Sequence, residues 1–266
     1  EDLRQGRVRA TVAARRQLEE DPVRILRALK LAGQYEFQLA EDTDEAVREL
    51  GDRIALSSRA RLFEELLKIL GKPYSRRTFE AFHEHAFLKH FWPNFARLWE
   101  SSDGEFMCAL LAERDRQMAK RDYTHAKTLM IATLCLPSTV RAMGGEPARL
   151  WEHEAGLESV CRDAVVEFMK PFAVPRFLSA RARDVLLLLP RFVEADDPSR
   201  RLQRHPEYKY ARELFLLWGC YAGLAKEELE KWPAPPSGEP HHRGRRKSSR
   251  RSRGGRRRKR SGGGKT

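Results

Sequence analysis

The sequence predicts an all-α protein, a multi-helix body followed by a disordered basic C-terminal tail, on three observations. Apolar residues recur at helical spacing along most of residues 1–232, and few stretches alternate as strands do. Asp-Pro, Gly and Pro punctuate these stretches where helices begin or end. After Pro233, Pro235, Pro236 and Pro240 the chain turns to Arg, Gly and Ser, and residues 241–266 hold no apolar side chain whose burial could offset the entropy of ordering.

The opening "EDLRQGRVRA" carries a turn-like Gln5-Gly6 and then Val8 between arginines, and reads as the last strand of a preceding domain. Asp21-Pro22 opens the first helix, since Asp accepts from free backbone N–H groups and Pro suits a first turn. Val23, Leu26 and Leu29 then face a core. A second helix follows Asp44, and a third runs through "RLFEELLKIL", with Leu62, Leu66, Ile69 and Leu70 as its stripe and Gly71 and Pro73 as its stop. Further helices are expected near 75–90, 105–121, 123–142, 147–169, 178–194 and 207–231. Breaks fall at Trp92-Pro93, Gly144-Gly145, Pro171, Asp197-Pro198 and His205-Pro206, which makes about ten helices in all. The apolar run Leu129 to Leu136 is far short of the roughly 20 residues a membrane-spanning helix needs, and reads as a buried helix. No basic-then-apolar leader stands at the start.

With 266 residues, 41% of them hydrophobic, the chain can bury a sizeable core. Its net charge of +13 is uneven: residues 241–266 hold 13 Lys and Arg and no acid, which leaves 38 basic residues against 38 acidic ones in the rest. Cys108, Cys135 and Cys220 sit in apolar runs and read as buried free thiols, whereas Cys161 is flanked by charges. No Cys or His pair has zinc-site spacing, and the composition suits a reducing cytoplasm. The chain starts on Glu1 and its first methionine is Met107, as a segment cut from something longer would.

The sharpest local feature is "EEDPVRILRALKLA". Asp21, Arg24 and Arg27 share roughly one helix face. A carboxylate beside a guanidinium complements adenine, accepting from its N6 amino group and donating to N1. Chemistry alone favours a plainer reading, with Asp21 as a helix cap and Asp21–Arg24 as an exposed ion pair worth under ~1 kcal/mol. Other features read as structure. His83, His85 and His90 lack the i, i+4 spacing of a metal site, and Phe91, Trp92, Phe95 and Trp99 read as core at a helix junction.

"EDPVRILRALKLA" resembles the neck helix of the class II nucleotidyltransferase group that contains bacterial poly(A) polymerases and CCA-adding enzymes. The resemblance implies that Glu20, Asp21 and Arg24 read the base of an incoming nucleotide, with Arg27 beside them as a phosphate contact. "SSRARLFEELLKIL" resembles the next helix of the group, with Arg61 at its arginine position as an RNA contact. "VPRFLSARARDVLLLLPR" and "LQRHPEYKYARELFLLW" resemble the poly(A) polymerase body more than the CCA-adding one, as does the Arg-rich end. The implied layout is the end of a head domain and a connector at 1–18, a base-reading neck at 19–72, a helical RNA-binding body at 73–232, and a linker and tail at 233–266.

That resemblance implies the RNA-binding and ATP-selecting portion of an enzyme that adds AMP to RNA 3′ ends in the cytoplasm and so promotes decay. ATP is then a substrate, RNA 3′ ends and a catalytic head are partners, and RNA-decay proteins are possible further ones. Mg²⁺ is implied through a Gly-Ser turn and an Asp-x-Asp pair, and this chain has no Gly-Ser dipeptide. Asp42-Thr43-Asp44 spells the pair but follows the neck helix and reads as a helix cap, so no catalytic or metal residue is assigned and the chain is expected to be inactive alone. In the tail, Arg245, Arg246, Lys247, Arg250, Arg251, Arg256, Arg257, Arg258, Lys259 and Arg260 can follow a phosphate backbone, without aromatics to stack on bases. The alternatives are the body of a CCA-adding tRNA nucleotidyltransferase and a head-less RNA-binding protein.

Overall fold

A computed structural model describes residues 1–11, 13–120, 124–152, 156–195 and 199–234. Among the described residues the chain forms fourteen α-helices, one 3-10 turn and a two-stranded ribbon. The strand expected near Val8 is β1, Arg7–Val8, and it pairs in parallel with β2, Gln38–Leu39, later in the same chain. A helix that apolar spacing did not announce, α1 (Ala14–Glu20), comes before the Asp-Pro turn and buries Ala14 and Leu18. Then comes α2 (Val23–Tyr35), with Val23, Leu26 and Leu29 fully buried as expected. It ends where Glu36 takes a left-handed conformation at φ 57°.

The second expected helix starts earlier than Asp44. It is α3 (Glu41–Leu50), with Ala40 at its cap position and Asp42 and Asp44 inside the first turn. The cap reading of Asp42-Thr43-Asp44 is therefore corrected: no side chain caps this helix, and the two acids instead favour the positive end of its dipole. A 3-10 turn (Gly51–Leu56) leads to α4 (Arg59–Leu70), where Ser58 accepts from the Arg61 N–H and Gly71 ends the helix.

The expected helix at 75–90 is two helices, α5 (Ser75–Glu84) and α6 (Leu88–Phe91), parted by Ala86 at φ 55°. Next come α7 (Pro93–Trp99), which has Pro at its first position, and α8 (Gly104–Ala119). The aromatic junction is core: Phe91, Trp92 and Phe95 are at most 1% exposed, and Trp92 Nε1 donates to the Phe168 carbonyl at 2.7 Å.

In the second half, α9 (Lys127–Ala142) carries Pro137 within it and is almost wholly buried, as the run Leu129 to Leu136 predicts. The expected helix at 147–169 is only α10 (Glu158–Phe168). Residues 146–150 form a turn closed by a bridge between Glu146 and Leu150. α11 (Arg176–Glu194), α12 (Arg200–Gln203), α13 (Tyr208–Ala222) and α14 (Lys226–Glu230) complete the order, with Gly223 at φ 71° dividing the last expected helix.

α2 packs on α5, and α1 on α3; α9, α10, α11 and α13 pack on one another, and α4 touches α2, α5 and α9. One continuous apolar core runs from Ala14 to Trp232. Residues Glu1–Pro235 form one compact unit. Among the described residues no helix is long and apolar enough to cross a membrane.

The cysteine expectation is corrected at two of its three thiols. Cys135 and Cys161 are buried, but Cys108 is only partly so, and Cys220 lies exposed on α13 although its neighbours in sequence are apolar. A helix shows only one face to the core, so an apolar run does not bury every member.

Candidate nucleic-acid interface

The facing surfaces of α2 and α4 build the site. Asp21 lies between α1 and α2, and its Oδ1 accepts from the Val23 N–H at 3.3 Å. The turn is fixed this way because Pro22 has no N–H to offer and α2 leaves its first donors unpaired. Oδ2 of Asp21 accepts from Arg61 Nη2 on α4 at 2.9 Å and lies 3.8 Å from Arg24 Nε. Asp21 is 22% exposed in its side chain, while Arg24 and Arg61 are each 45% exposed. The pair expected from sequence is thus assembled at the surface, and a third residue braces it.

Two accepted hydrogen bonds leave the Asp21 carboxylate with unused acceptor capacity, and Arg24 keeps nearly all its donors. Glu20 does not join them. It ends α1 and takes Arg16 at 3.1 Å, turned along its own helix.

One helical turn further along, Arg27 Nη2 meets Glu65 Oε1 at 3.3 Å, Lys68 Nζ donates to the same oxygen at 2.9 Å, and Lys30 Nζ lies 3.7 Å from Oε2. Glu65 is 2% exposed. Burial pushes its carboxyl up, but the Lys68 hydrogen bond, the Lys30 and Lys68 charges and the Arg27 hydrogen bond together hold it below the usual Glu range. Glu65 therefore stays ionised and organises three cations around it. Across this face Arg24, Arg27, Lys30, Arg61 and Lys68 stand against Asp21 and Glu65, an excess of positive charge with its cations partly in solvent. Lys30, Glu65 and Lys68 were not singled out from sequence. The signal was there in the i, i+3 and i, i+4 spacing of charges on both helices, but their meeting needs the α2–α4 contact.

The remaining candidates fall elsewhere. Asp44 is held by His85 at 2.5 Å and by Arg48 at 3.2 Å; burial pushes its carboxyl up, and those two partners pull it net below the usual range. Asp42 faces Arg9 at 3.8 Å. Among the described residues, no group of three or more His, Cys, Asp or Glu side chains is placed to hold a metal ion. Arg245, Arg246, Lys247, Arg250, Arg251, Arg256, Arg257, Arg258, Lys259 and Arg260, with the whole expected tail, lie outside the described residues.

Fold and site define an all-helical body with a cationic α2–α4 face centred on an acid–guanidinium pair. Residues 36–98 match the family described as "Probable RNA and SrmB- binding site of polymerase A". Poly(A) polymerase I of Haemophilus influenzae is 23% identical over 87% of this chain and 52% of its own length, and that of Escherichia coli O157:H7 is 26% identical over 87% and 51%. A CCA-adding enzyme of Lactobacillus helveticus is 32% identical over 31% of this chain and 21% of its own. The chain is similar along most of its length to poly(A) polymerases and over a shorter stretch to CCA-adding enzymes, and it spans about half the length of the poly(A) polymerases it matches.

Proposed function

We propose that this chain is the RNA-holding and ATP-selecting portion of a polynucleotide adenylyltransferase, which adds AMP to RNA 3′ ends. The observation that carries the reading is the Asp21–Arg24 pair at the head of α2, braced from α4 by Arg61 and left half in solvent. In this reading the Asp21 carboxylate accepts from the adenine N6 amino group and Arg24 donates to N1. Cytosine offers the same pattern through its N4 amino group and N3, so the pair selects adenine or cytosine against uracil and guanine, and the choice of ATP over CTP rests on the size of base that the site admits. Arg27, Arg61 and Lys68 neutralise phosphates, and Glu65 keeps the α2–α4 cations in register. Residues 19–72 act as the neck, 73–232 as the body, and the arginines after 243 add affinity without sequence choice.

Transfer itself needs a metal-bound catalytic head. Mg²⁺ there would supply in-line phosphoryl transfer chemistry. The described residues do not fit that ion, because Asp42 and Asp44 are spent on Arg9, Arg48 and His85.

The test joins this chain to a catalytic head and compares ATP with UTP and with CTP. The joined enzyme prefers ATP, and Arg24→Ala lowers its preference for ATP over UTP by about tenfold or more, as loss of a charged donor to a base edge would. RNA affinity changes less than the nucleotide ratio. An unchanged ATP preference in Arg24→Ala rules the base-reading role out. Preference for CTP in the unaltered enzyme transfers the reading to the CCA-adding branch, which the Lactobacillus relative represents among the matches.

A further inference from the structure

A second cationic feature lies at the other side of the first turn of α4. The end of α10, the loop after it and the start of α11 close with Arg59 around a cleft of about 450 Å³. Five cations line it, Arg59, Arg162, Lys170, Arg176 and Arg183, and no carboxylate does. The rest of the lining is largely apolar, with Val166 and Met169 along the α10 side.

These cations are not equally committed. Arg59 donates to the carbonyls of Lys170 and Phe172, the latter at 3.0 Å, and so fixes one wall. Arg162, Lys170 and Arg183 hold Asp163, Glu167 and Asp184 at 2.9, 3.3 and 2.6 Å. The Arg162 and Lys170 pairs lie open to solvent and are weak, so a phosphate oxygen can replace the carboxylate there, whereas Arg183 is half-buried and donates twice to Asp184. Arg176 is exposed and has no side-chain partner among the described residues. Phe177, next to it in sequence and outside the cleft lining, is 62% exposed, and Val166 within the lining is 57% exposed. An exposed aromatic beside an uncommitted guanidinium contributes nothing to the core.

An apolar floor with guanidinium groups at its rim is the complement of one nucleotide: the base covers the floor and the phosphate meets the cations. A duplex would present phosphates and sugars with its bases already stacked, and leave the floor uncovered. An acidic peptide would satisfy the cations but has no flat face for Phe177. We infer that this cleft is a subsite for a nucleotide of single-stranded RNA, upstream of the 3′ end. The inference rests on the proposed RNA-holding role, and α4 supplies the continuity: Arg59 walls the cleft and Arg61, two residues on, braces Asp21.

The experiment measures binding of a fluorescent oligo(A) of about 15 nucleotides to the full chain by anisotropy, across a salt series. The double variant Arg162→Ala/Arg176→Ala binds about tenfold more weakly, and its log–log salt slope falls by about 1.4, as expected for two lost single-strand phosphate contacts. Phe177→Ala binds at least about fivefold more weakly with an unchanged slope, because stacking rather than charge is lost. Circular dichroism and melting temperature of both variants match the unaltered chain, since Arg162, Arg176 and Phe177 are exposed. If both variants bind as tightly as the unaltered chain while Arg27→Ala or Arg61→Ala binds more weakly, the cleft subsite is overturned and the RNA-holding role stands. If none of these variants weakens binding, both are wrong. Equal losses on a duplex of the same length overturn the single-strand assignment.

Discussion

Glu65 sits among Arg27, Lys30 and Lys68, with 2% of its side chain exposed. Its folded carboxyl is held below the usual range. A lowered folded value means that the ionised form is favoured by folding, so this stabilisation is present above the unfolded Glu range and is lost as pH falls through the folded value. Glu65→Gln leaves three cations without their shared partner. It lowers stability by about 1–3 kcal/mol at neutral pH, the range for removing one partner of a buried charged hydrogen bond whose cations can still reach water. Urea unfolding checks this, and the gap between variant and unaltered chain closes as pH falls below the usual Glu range. The thiols offer a second residue-scale test. Burial pushes Cys161 up to about 12 and leaves Cys135 enclosed, whereas Cys220 is exposed and Cys108 half-buried. An aromatic disulfide reagent therefore titrates two thiols in the native chain and four in denaturant.

At the scale of elements, α2 and α5 meet at Gly33 more closely than any side chain permits. A Cβ there would lie 2.7 Å from the Thr78 Cα and the Arg77 carbonyl oxygen, both backbone atoms that cannot turn aside. Gly33→Ala must push the helices apart and costs about 1–3 kcal/mol, measured as a lower denaturation midpoint with a native-like helix signal. Because α2 also carries Asp21's partner Arg24, the displacement reaches the site: Arg24 and Arg61 no longer share Asp21 at their present distances. Two elements keep proline within a helix, Pro137 in α9 and Pro190 in α11. Packing on every side outweighs the lost backbone bond in α9, where nearly every residue is buried.

At the scale of the molecule, charge is divided between a body that is neutral in sum and a terminal segment with 13 Lys and Arg. For the proposed RNA role this separates two contributions. With six to ten charges meeting single-stranded phosphates, log affinity of the full chain falls with log salt by about 4 to 7. A chain ending at Ala234 keeps its melting behaviour, and its slope falls to about 2 or 3, the share of the α2–α4 face and the cleft. Retention of the full slope by the shortened chain would put the phosphate contacts in the body instead.

Composition and periodicity alone determined the helical class, most helix positions, the core stripe Val23, Leu26 and Leu29, and the unequal distribution of charge. These are local properties: a residue's neighbours three and four places away are set by the helix itself. The Asp21–Arg24 pair was legible for the same reason. What only the tertiary structure decided is what crosses between elements: Arg61 on Asp21, Glu65 gathering Arg27 and Lys30, Asp44 claimed by His85, and Arg59 tying α4 to the cleft wall. The helix break at Ala86 and the turn at 146–150 also escaped, because a left-handed non-glycine residue or a bridged turn leaves no mark in hydrophobic spacing. Partners 35 to 113 residues apart in sequence are brought together by packing, and no local pattern encodes that distance.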